Sequence, residues 1–135
     1  MERLRFILDT NVISDYINGV THLQLAIETA RENGNTLYLC DPVEFEVVRG
    51  LIHTNATRKR AVFEEKVKPL LEPLSLNEAD WTQAARFWAD GVRIGKKLSD
   101  VDLLLAALAV RVGAIIISAD TDFDALPVTR LYWRA

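Results

Sequence analysis

The sequence has few of the residues on which several common kinds of site depend. It contains one cysteine, Cys40, and two histidines, His22 and His53. One cysteine cannot form an internal disulfide, and because Cys40 ends an apolar segment we expect it to be a small buried hydrophobic residue. The histidines lie far apart, with no cysteine near either of them, which does not favour a zinc site. We expect both histidines at the surface.

Long hydrophobic runs are also absent. The longest run, residues 103–110, is well short of the roughly 20 residues that cross a bilayer, and Arg111 follows it. The first residues carry charges before only a short apolar stretch, without the small-residue cleavage pattern of a secretory signal. We therefore expect no membrane span and a cytoplasmic protein.

Positive charge is not in excess, since the formal net charge is -3. Proteins that bind nucleic acid non-specifically usually carry a basic balance, so any such binding here must depend on local positive charge. Two basic concentrations are present: Arg58-Lys59-Arg60 with Lys66 and Lys68, and Arg93 with Lys96-Lys97. Either one alone is more typical of a solvated helix face.

The order of apolar patterns indicates an α/β fold. With 135 residues and 50% hydrophobic content, the chain has the size of one domain, which we assign to residues 1–135. Strand patterns occupy residues 4–8, 36–40, 114–118 and 128–132, with a short edge segment at 70–74. Helical patterns occupy residues 10–18, 22–32, 41–53, 58–68, 78 to about 91 or 95, and 99–112. This alternation predicts a three-layer sandwich, with a central, mostly parallel sheet of four to five strands flanked by helices.

Three helix starts carry residues typical of capping. In each, a Ser or Asp precedes an acidic residue by three positions, which is the spacing of a capping box. The three pairs are Asp41 with Glu44, Ser75 with Glu78, and Ser99 with Asp102. Pro69 is expected to close the helix over residues 58–68, and Gly113 to end the last helix.

One helical stripe is aromatic. Trp81, Ala84, Ala85 and Trp88 recur at helical spacing, a pattern that more often marks a core face than a binding surface. We therefore expect these side chains in the interior. The alternative is a groove for a protein partner or a dimer contact, where aromatic residues are enriched.

Acidic residues recur where strands end and helices begin. Asp9 follows the first strand, Glu46 lies in the helix after the second, Asp102 opens a helix, and Asp120 and Asp122 follow a later strand. In an open α/β sheet, such positions collect in the crevice at the carboxyl ends of the strands. Facing carboxylates repel one another unless a cation neutralises them, and hard oxygen ligands suit Mg²⁺ or Mn²⁺. The pattern predicts a metal-dependent phosphodiesterase.

Four ordered motifs together resemble the PIN domain, and within it the VapC-type toxins of bacterial and archaeal toxin–antitoxin pairs. The motifs are Phe6-Ile-Leu-Asp9-Thr10-Asn11, Glu46-Val-Val-Arg-Gly50, Asp102-Leu-Leu-Leu-Ala-Ala, and Ser118-Ala-Asp120-Thr-Asp122-Phe123. The resemblance covers essentially the whole chain. It implies a PIN-like fold, a Mg²⁺-dependent endoribonuclease acting on RNA, a homodimer, and inhibition by an antitoxin protein encoded beside it.

The resemblance also implies roles for individual residues. The expected catalytic acids are Asp9, Glu46, Asp102 and Asp120. The expected metal ligands are Asp9, Asp102, Asp120 and Asp122. Thr10, Asn11 and Ser118 are expected to orient a carboxylate or a metal-bound water through hydrogen bonds.

Four of these assignments have alternatives. Thr10 is equally a candidate for a helix cap. Glu44 competes with Glu46, although the two point in nearly opposite directions on a helix and the family spacing to Gly50 selects Glu46. Asp122 is either a ligand or a helix cap, and Asp120 is preferred. Asp102 is both a capping position and a ligand candidate, and the two roles can coexist.

An antitoxin would meet an acidic pocket, which favours an arginine that pairs with Asp9, Asp102 or Asp120. Trp88 or Phe87 are the candidate apolar anchors for the same partner.

Three other functions are compatible with parts of the pattern. Phosphatases of the haloacid dehalogenase type also begin with a strand ending in Asp, but they need a second Asp where this chain has Asn11. A non-cutting PIN-fold module that binds RNA or protein usually loses one or more acids, whereas this chain keeps them. Structure-specific DNA nucleases of related fold carry long insertions that 135 residues do not accommodate.

Overall fold

The computed structural model describes residues 3–133 of the chain. Its strands are β1 (Arg5–Leu8), β2 (Thr36–Cys40), β3 (Glu72–Leu74), β4 (Ile115–Ile117) and β5 (Arg130–Leu131). Its α-helices are α1 (Thr10–Ile17), α2 (Thr21–Glu32), α3 (Asp41–His53), α4 (Thr57–Val62), α5 (Glu78–Arg93) and α6 (Asp100–Val112). Within residues 3–133, no helix is long and apolar enough to cross a bilayer.

The five strands form one parallel sheet in the order β3-β2-β1-β4-β5. Strand β1 lies at the centre, with Leu8 opposite Ile117 of β4. The segment with Pro73 lies at the edge, where a missing backbone donor costs least. The predicted α/β architecture, a central parallel sheet flanked by helices, is confirmed.

The core is built from β1, β4 and α6. Ile7, Leu8, Ile116 and Ile117 are fully buried, as a central strand covered on both faces requires. Helix α6 is apolar nearly all round, and residues 102–109 are buried. Gly113 ends it at φ 68°, a left-handed conformation that glycine adopts without a steric penalty, as predicted. Cys40 is buried and both histidines are exposed, which confirms those predictions.

Two of the three capping predictions are wrong in detail. Helix α3 begins at Asp41 without a side-chain cap, because the Asp41 carboxylate accepts the backbone N–H of Leu76 instead, at 3.1 Å. The capping box of α5 is formed by Asn77 and Asp80, two residues beyond the predicted pair. A contact distant in sequence changes the cap of α3, and a shift of two residues changes the cap of α5. Ser99 caps α6 through the N–H of Asp102, as predicted.

The helix predicted over residues 58–68 changes its winding. Helix α4 gives way to a π-helical turn, Phe63–Val67, and then to a 3₁₀ turn, Lys68–Leu70, which contains Pro69. Both ends of the wider π turn, Phe63 and Val67, are buried. Pro69 therefore lies inside the final turn rather than just after the helix.

The two tryptophans of α5 lie at the surface, so the prediction that they are interior is wrong. The buried positions of α5 are Asp80, Ala84, Phe87 and Gly91, which form one helical stripe. Trp81 and Trp88 each follow a stripe residue by one position and are 57% and 55% exposed. They line an apolar groove between α5 and α6, here called the tryptophan groove. Phe87 is buried and cannot act as a surface anchor.

Candidate active site

The site is centred on the carboxyl ends of two neighbouring strands. Asp9 follows β1 and Ser118 follows β4, and the Asp9 backbone N–H donates to the carbonyl of Ile117 at 3.0 Å. Because parallel strands end at the same edge of the sheet, both side chains point into the same crevice region. Asp9 is 5% exposed and Ser118 is fully buried.

Asp9 is held by three donors. The Ser118 hydroxyl donates to its Oδ2 at 2.6 Å and the Asn11 amide donates to the same oxygen at 3.1 Å. The backbone N–H of Thr10 donates to Oδ1 at 2.8 Å, so that Asp9 also caps α1. Burial raises the pKa of Asp9, and the hydrogen bonds from Ser118 and Thr10 oppose that rise. These contacts fix the carboxylate orientation, which is the role expected of Asn11 and Ser118.

Three further carboxylates meet beside Asp9. Oxygens of Asp102, Asp120 and Asp122 lie within 4.8 Å of one another, the spacing of groups that share a metal ion. Asp9 lies outside this group of three, although its charge acts on Asp102. The structure thus places all four expected ligands in one region, with three of them in the tight cluster.

The surroundings of Asp102 disfavour its ionised form. Burial, followed by the charges of Asp9 and Asp120, raises its pKa to about 7. A hydrogen bond between Asp102 and Asp120 acts in the same direction, because it favours the protonated form. A cation at this position would reverse the effect by neutralising the carboxylates.

The loop after β4 is shaped by the same polar network. The N–H of Asp120 donates to the Ser118 hydroxyl at 2.9 Å, and the N–H of Ala119 donates to the Asn11 amide oxygen at 3.1 Å. Asp120 then caps the short 3₁₀ turn Thr121–Ala125 by accepting from the N–H of Asp122 at 2.9 Å. The capping residue is therefore Asp120, which leaves the Asp122 carboxylate in the cluster.

Glu46 and Glu44 face different surroundings. The Thr10 hydroxyl donates to Glu46 at 2.7 Å, and the Glu46 charge contributes to the raised pKa of Asp9. Glu44 instead forms an ion pair with Lys68 at 2.8 Å. Arg49, three residues after Glu46, pairs with it at 3.3 Å. Glu46 is therefore the glutamate that adjoins the carboxylates.

Two basic side chains at the site were not singled out as site residues from the sequence. Lys96 Nζ lies 3.9 Å from Asp122 Oδ1, at the edge of the cluster. The Arg130 guanidinium donates to the backbone carbonyl of Ser118 at 3.1 Å and to the carboxylate of Asp124. Lys96 had a weak signal, since it belongs to a basic run, whereas Arg130 had none. Both contacts join segments that only the folded chain brings together.

The donor set fits a hard divalent cation. Its ligand atoms are carboxylate oxygens from Asp102, Asp120 and Asp122, with no sulfur or imidazole in the group. Such a set suits Mg²⁺ or Mn²⁺, which keep water in their open positions. It does not suit zinc, which favours thiolate and imidazole ligands.

Comparisons with known proteins agree with this geometry. The family model of the PIN domain matches residues 6–128. VapC ribonuclease Mb1587 of Mycobacterium bovis and ribonuclease VapC11 of Mycobacterium tuberculosis are each 29% identical over 127 residues, covering 89% of this chain and 90% of theirs.

Solved structures match the same fold over nearly the full chain. DNA-bound VapBC from Salmonella typhimurium superposes with a TM-score of 0.84 at 21% identity, covering 96% of this chain and 98% of that one. VapBC2 from Rickettsia felis, bound to a DNA fragment of its promoter, superposes with a TM-score of 0.81 at 19% identity, covering 96% of this chain and 99% of that one. FitAcB from Neisseria gonorrhoeae superposes with a TM-score of 0.81 at 21% identity, covering 96% of this chain and 99% of that one.

Proposed function

Because the chain belongs to the PIN domain family, we propose that it is a Mg²⁺-dependent endoribonuclease that acts as the toxin of a type II toxin–antitoxin pair. The single observation that carries the enzymatic part is the cluster of Asp102, Asp120 and Asp122 beside the buried Asp9. The relatives at 29% identity are named ribonucleases, which supports RNA as the substrate.

In the proposed mechanism, some residues hold the cation and others position its ligands or the water. Asp102, Asp120 and Asp122 would hold the cation, either Mg²⁺ or Mn²⁺, with Asp9 as a further ligand. Bound there, the ion would supply a nucleophilic water at neutral pH and stabilise charge on the phosphoryl oxygens. Ser118 and Asn11 hold Asp9 in position, and Thr10 holds Glu46. Glu46 is placed to accept a proton or to orient water at the edge of the site.

The proposed partner is an antitoxin protein. Several structural neighbours are VapBC pairs or a toxin–antitoxin complex. In this chain, Trp81 and Trp88 line an exposed apolar groove between α5 and α6, where a partner segment would bury aromatic surface. An arginine of that partner would pair with the acidic cluster, because a guanidinium meets two carboxylate oxygens at once.

We also propose a homodimer that acts in the cytoplasm. A second apolar surface supports the dimer: Phe45 and Ile52 on α3 are 61% and 53% exposed and lie apart from the tryptophan groove. Two separate apolar faces leave room for two different protein contacts. Light scattering of the purified chain alone measures the homodimer, and light scattering with the antitoxin added measures the complex with the partner.

Incubation of the pure protein with RNA and with DNA, each in Mg²⁺ and in chelator, tests the activity. The proposal expects cleavage of RNA in Mg²⁺ only, since the carboxylate cluster acts through the ion. Cleavage of DNA but not RNA would indicate a DNA nuclease. RNA binding without cleavage in Mg²⁺ or Mn²⁺ would favour the alternative, a non-cutting PIN-fold module that binds RNA or protein.

A further inference from the structure

A groove with a mixed polar and apolar lining adjoins the carboxylate site at Thr10 and Glu46. It has a volume of about 280 Å³ and runs between α1, α3 and α4. Its polar lining consists of Thr10, Ser14, Asn18, Glu46, Thr54 and Lys59. A volume near 300 Å³ is at the small end of ligand pockets and suits one nucleotide rather than a folded segment.

The groove is continuous with the site through two residues. Thr10 and Glu46 line its end nearest Asp9, where the Thr10 hydroxyl donates to Glu46 at 2.7 Å. A substrate whose scissile phosphate lies at the carboxylate cluster would therefore extend its neighbouring nucleotide into this groove.

Positive charge is present in the lining at Lys59. This residue belongs to the exposed run Arg58-Lys59-Arg60, and within residues 3–133 none of the three takes part in an ion pair. Lys68, farther along the same segment, is by contrast held by Glu44 and Glu64. The Lys59 ammonium is therefore available to pair with an external anion.

The lining also distinguishes between possible occupants. Ser14 and Asn18 offer hydroxyl and amide groups, which hydrogen-bond ribose hydroxyls and phosphate oxygens. The Thr54 hydroxyl donates to the Gly50 carbonyl at 3.0 Å and can still accept from a ribose hydroxyl. Among the described residues, no aromatic side chain lines the groove, so base stacking is not its mode of binding. An amphipathic partner helix would find more apolar surface at the tryptophan groove between α5 and α6.

We propose that Lys59 binds a backbone phosphate of the RNA next to the cleaved position, and that this groove holds the intervening nucleotide. The inference rests on the proposed ribonuclease function. Glu46 repels phosphate at the near end, so the ribose lies beside Thr10 and the phosphate lies at the Lys59 end. Lys59 is thereby a substrate-positioning residue, which aligns the strand without touching the reacting atoms.

Binding and cleavage are measured on Lys59→Gln, with Lys66→Gln as the control. Lys66 is also exposed and without an ion pair in the described part of the chain, but it does not line the groove. The two variants therefore lose the same charge. Affinity for a fluorescent single-stranded RNA of mixed sequence is followed by anisotropy in chelator, where no metal-dependent cleavage occurs.

Lys59→Gln is expected to weaken RNA binding about tenfold, the equivalent of one charged hydrogen bond. The slope of log affinity against log salt should fall by about 0.7, the value for one phosphate contact on a single strand. In Mg²⁺ the KM of Lys59→Gln should rise by a similar factor, while its kcat should stay within about twofold of the unmutated value. Lys59→Arg should restore both the RNA affinity and the KM. Lys66→Gln should match the unmutated chain. Circular dichroism checks the fold of every variant.

Other outcomes overturn the inference in distinguishable ways. Equal RNA affinity and salt slope for Lys59→Gln and Lys66→Gln would contradict it, even if the unmutated chain cleaves RNA and the proposed function stands. Loss of antitoxin binding by Lys59→Gln with unchanged RNA affinity would assign the groove to the protein partner instead. Failure of the unmutated chain to cleave RNA in Mg²⁺ would reject the proposed function, while the binding measurement still decides the role of Lys59.

Discussion

Asp102 combines a structural and a chemical role at one position. Its backbone N–H is capped by Ser99 at the start of α6, and its carboxylate lies in the acidic cluster. The helix start fixes the backbone, while the side chain remains directed toward Asp120. A negative charge in the first turn is favoured by the helix dipole by about 0.3–1 kcal/mol. This gain is small compared with the cost of ionising a buried carboxyl group beside the negative charges of Asp9 and Asp120.

The first prediction follows from the raised pKa of Asp102. Its folded-state pKa is about 7, above the unfolded value of about 3.9, so the stabilising protonated form is lost as pH rises through 7. In chelator, Asp102→Asn should therefore be more stable than the unmutated chain at pH 8, by roughly 5 °C in Tm. The difference should vanish near pH 4. Differential scanning calorimetry at both pH values measures it, and a lower Tm for Asp102→Asn at pH 8 would contradict the electrostatic account.

The second prediction separates the two glutamates of α3. Glu46→Gln should lower RNA cleavage by roughly 10- to 100-fold, the range for residues that support a metal site. Glu44→Gln should leave cleavage within about threefold and cost at most about 1 kcal/mol of stability, because its ion pair with Lys68 is partly exposed. The two variants carry the same chemical change two residues apart, so each controls the other. The reverse order of effects would reassign the site to Glu44.

Helices α5 and α6 are joined by an ion pair of which only the Asp80 side is buried. Asp80 is 2% exposed and accepts from Arg111 Nε at 2.9 Å and Nη2 at 3.1 Å. The same carboxylate accepts the N–H of Asn77 in the capping box, and Arg111 also donates to the carbonyl of Ser75. One bidentate contact therefore ties the start of α5 to the end of α6, the helix that carries Asp102.

The third prediction concerns this contact. Asp80→Asn should reduce the free energy of unfolding by roughly 2 kcal/mol, because it removes the charge from a partly buried, hydrogen-bonded ion pair and weakens the cap. Asp90→Asn is the matched control, since Asp90 pairs with Arg93 on the same helix but is 70% exposed. The control should change stability by less than about 0.5 kcal/mol. Urea denaturation compares them, and equal midpoints would show that the pair is energetically unimportant.

Local patterns sufficed for the existence of most elements but not for their ends. The strand at residues 36–40 and the stop of α6 at Gly113 follow from short-range signals, namely an apolar run and a glycine in left-handed conformation. The cap of α5 could not be placed, since Ser75 to Asp80 offers several capping residues and Arg111 decides which carboxylate is used. Tertiary contacts override local propensity there.

The whole molecule explains why much of the candidate site was readable in advance. Asp9 and Ser118 meet because parallel topology brings the ends of β1 and β4 together, whatever the intervening residues are. Which face of α5 is buried was not readable, because both Ala84 and Trp88 fit a core stripe and only the packed helix distinguishes them. The contacts of Lys96 and Arg130 depend on loop geometry in the same way.

The fourth prediction applies to the protein in a cell. Expression of the chain alone should arrest bacterial growth, because an uninhibited ribonuclease degrades cellular RNA. Co-expression with the antitoxin should restore growth, and Trp88→Ala should weaken that rescue, since it removes an exposed anchor of the α5–α6 groove. Growth curves after induction measure all three. High expression of the unmutated chain with normal growth would contradict the toxin function.

Cleavage of a labelled RNA in Mg²⁺ by Asp102→Asn and by Asp100→Asn tests whether the carboxylate cluster holds the catalytic cation. Asp100 lies on the same first turn of α6 and is exposed, outside the carboxylate cluster, so the two variants differ in position but not in charge. If the cluster holds the cation, Asp102→Asn should lose at least about a hundredfold in cleavage rate, beyond the usual effect of supporting residues. Asp100→Asn should change the rate by no more than about threefold. Equal cleavage by the two identically purified variants would contradict a cation site at this cluster.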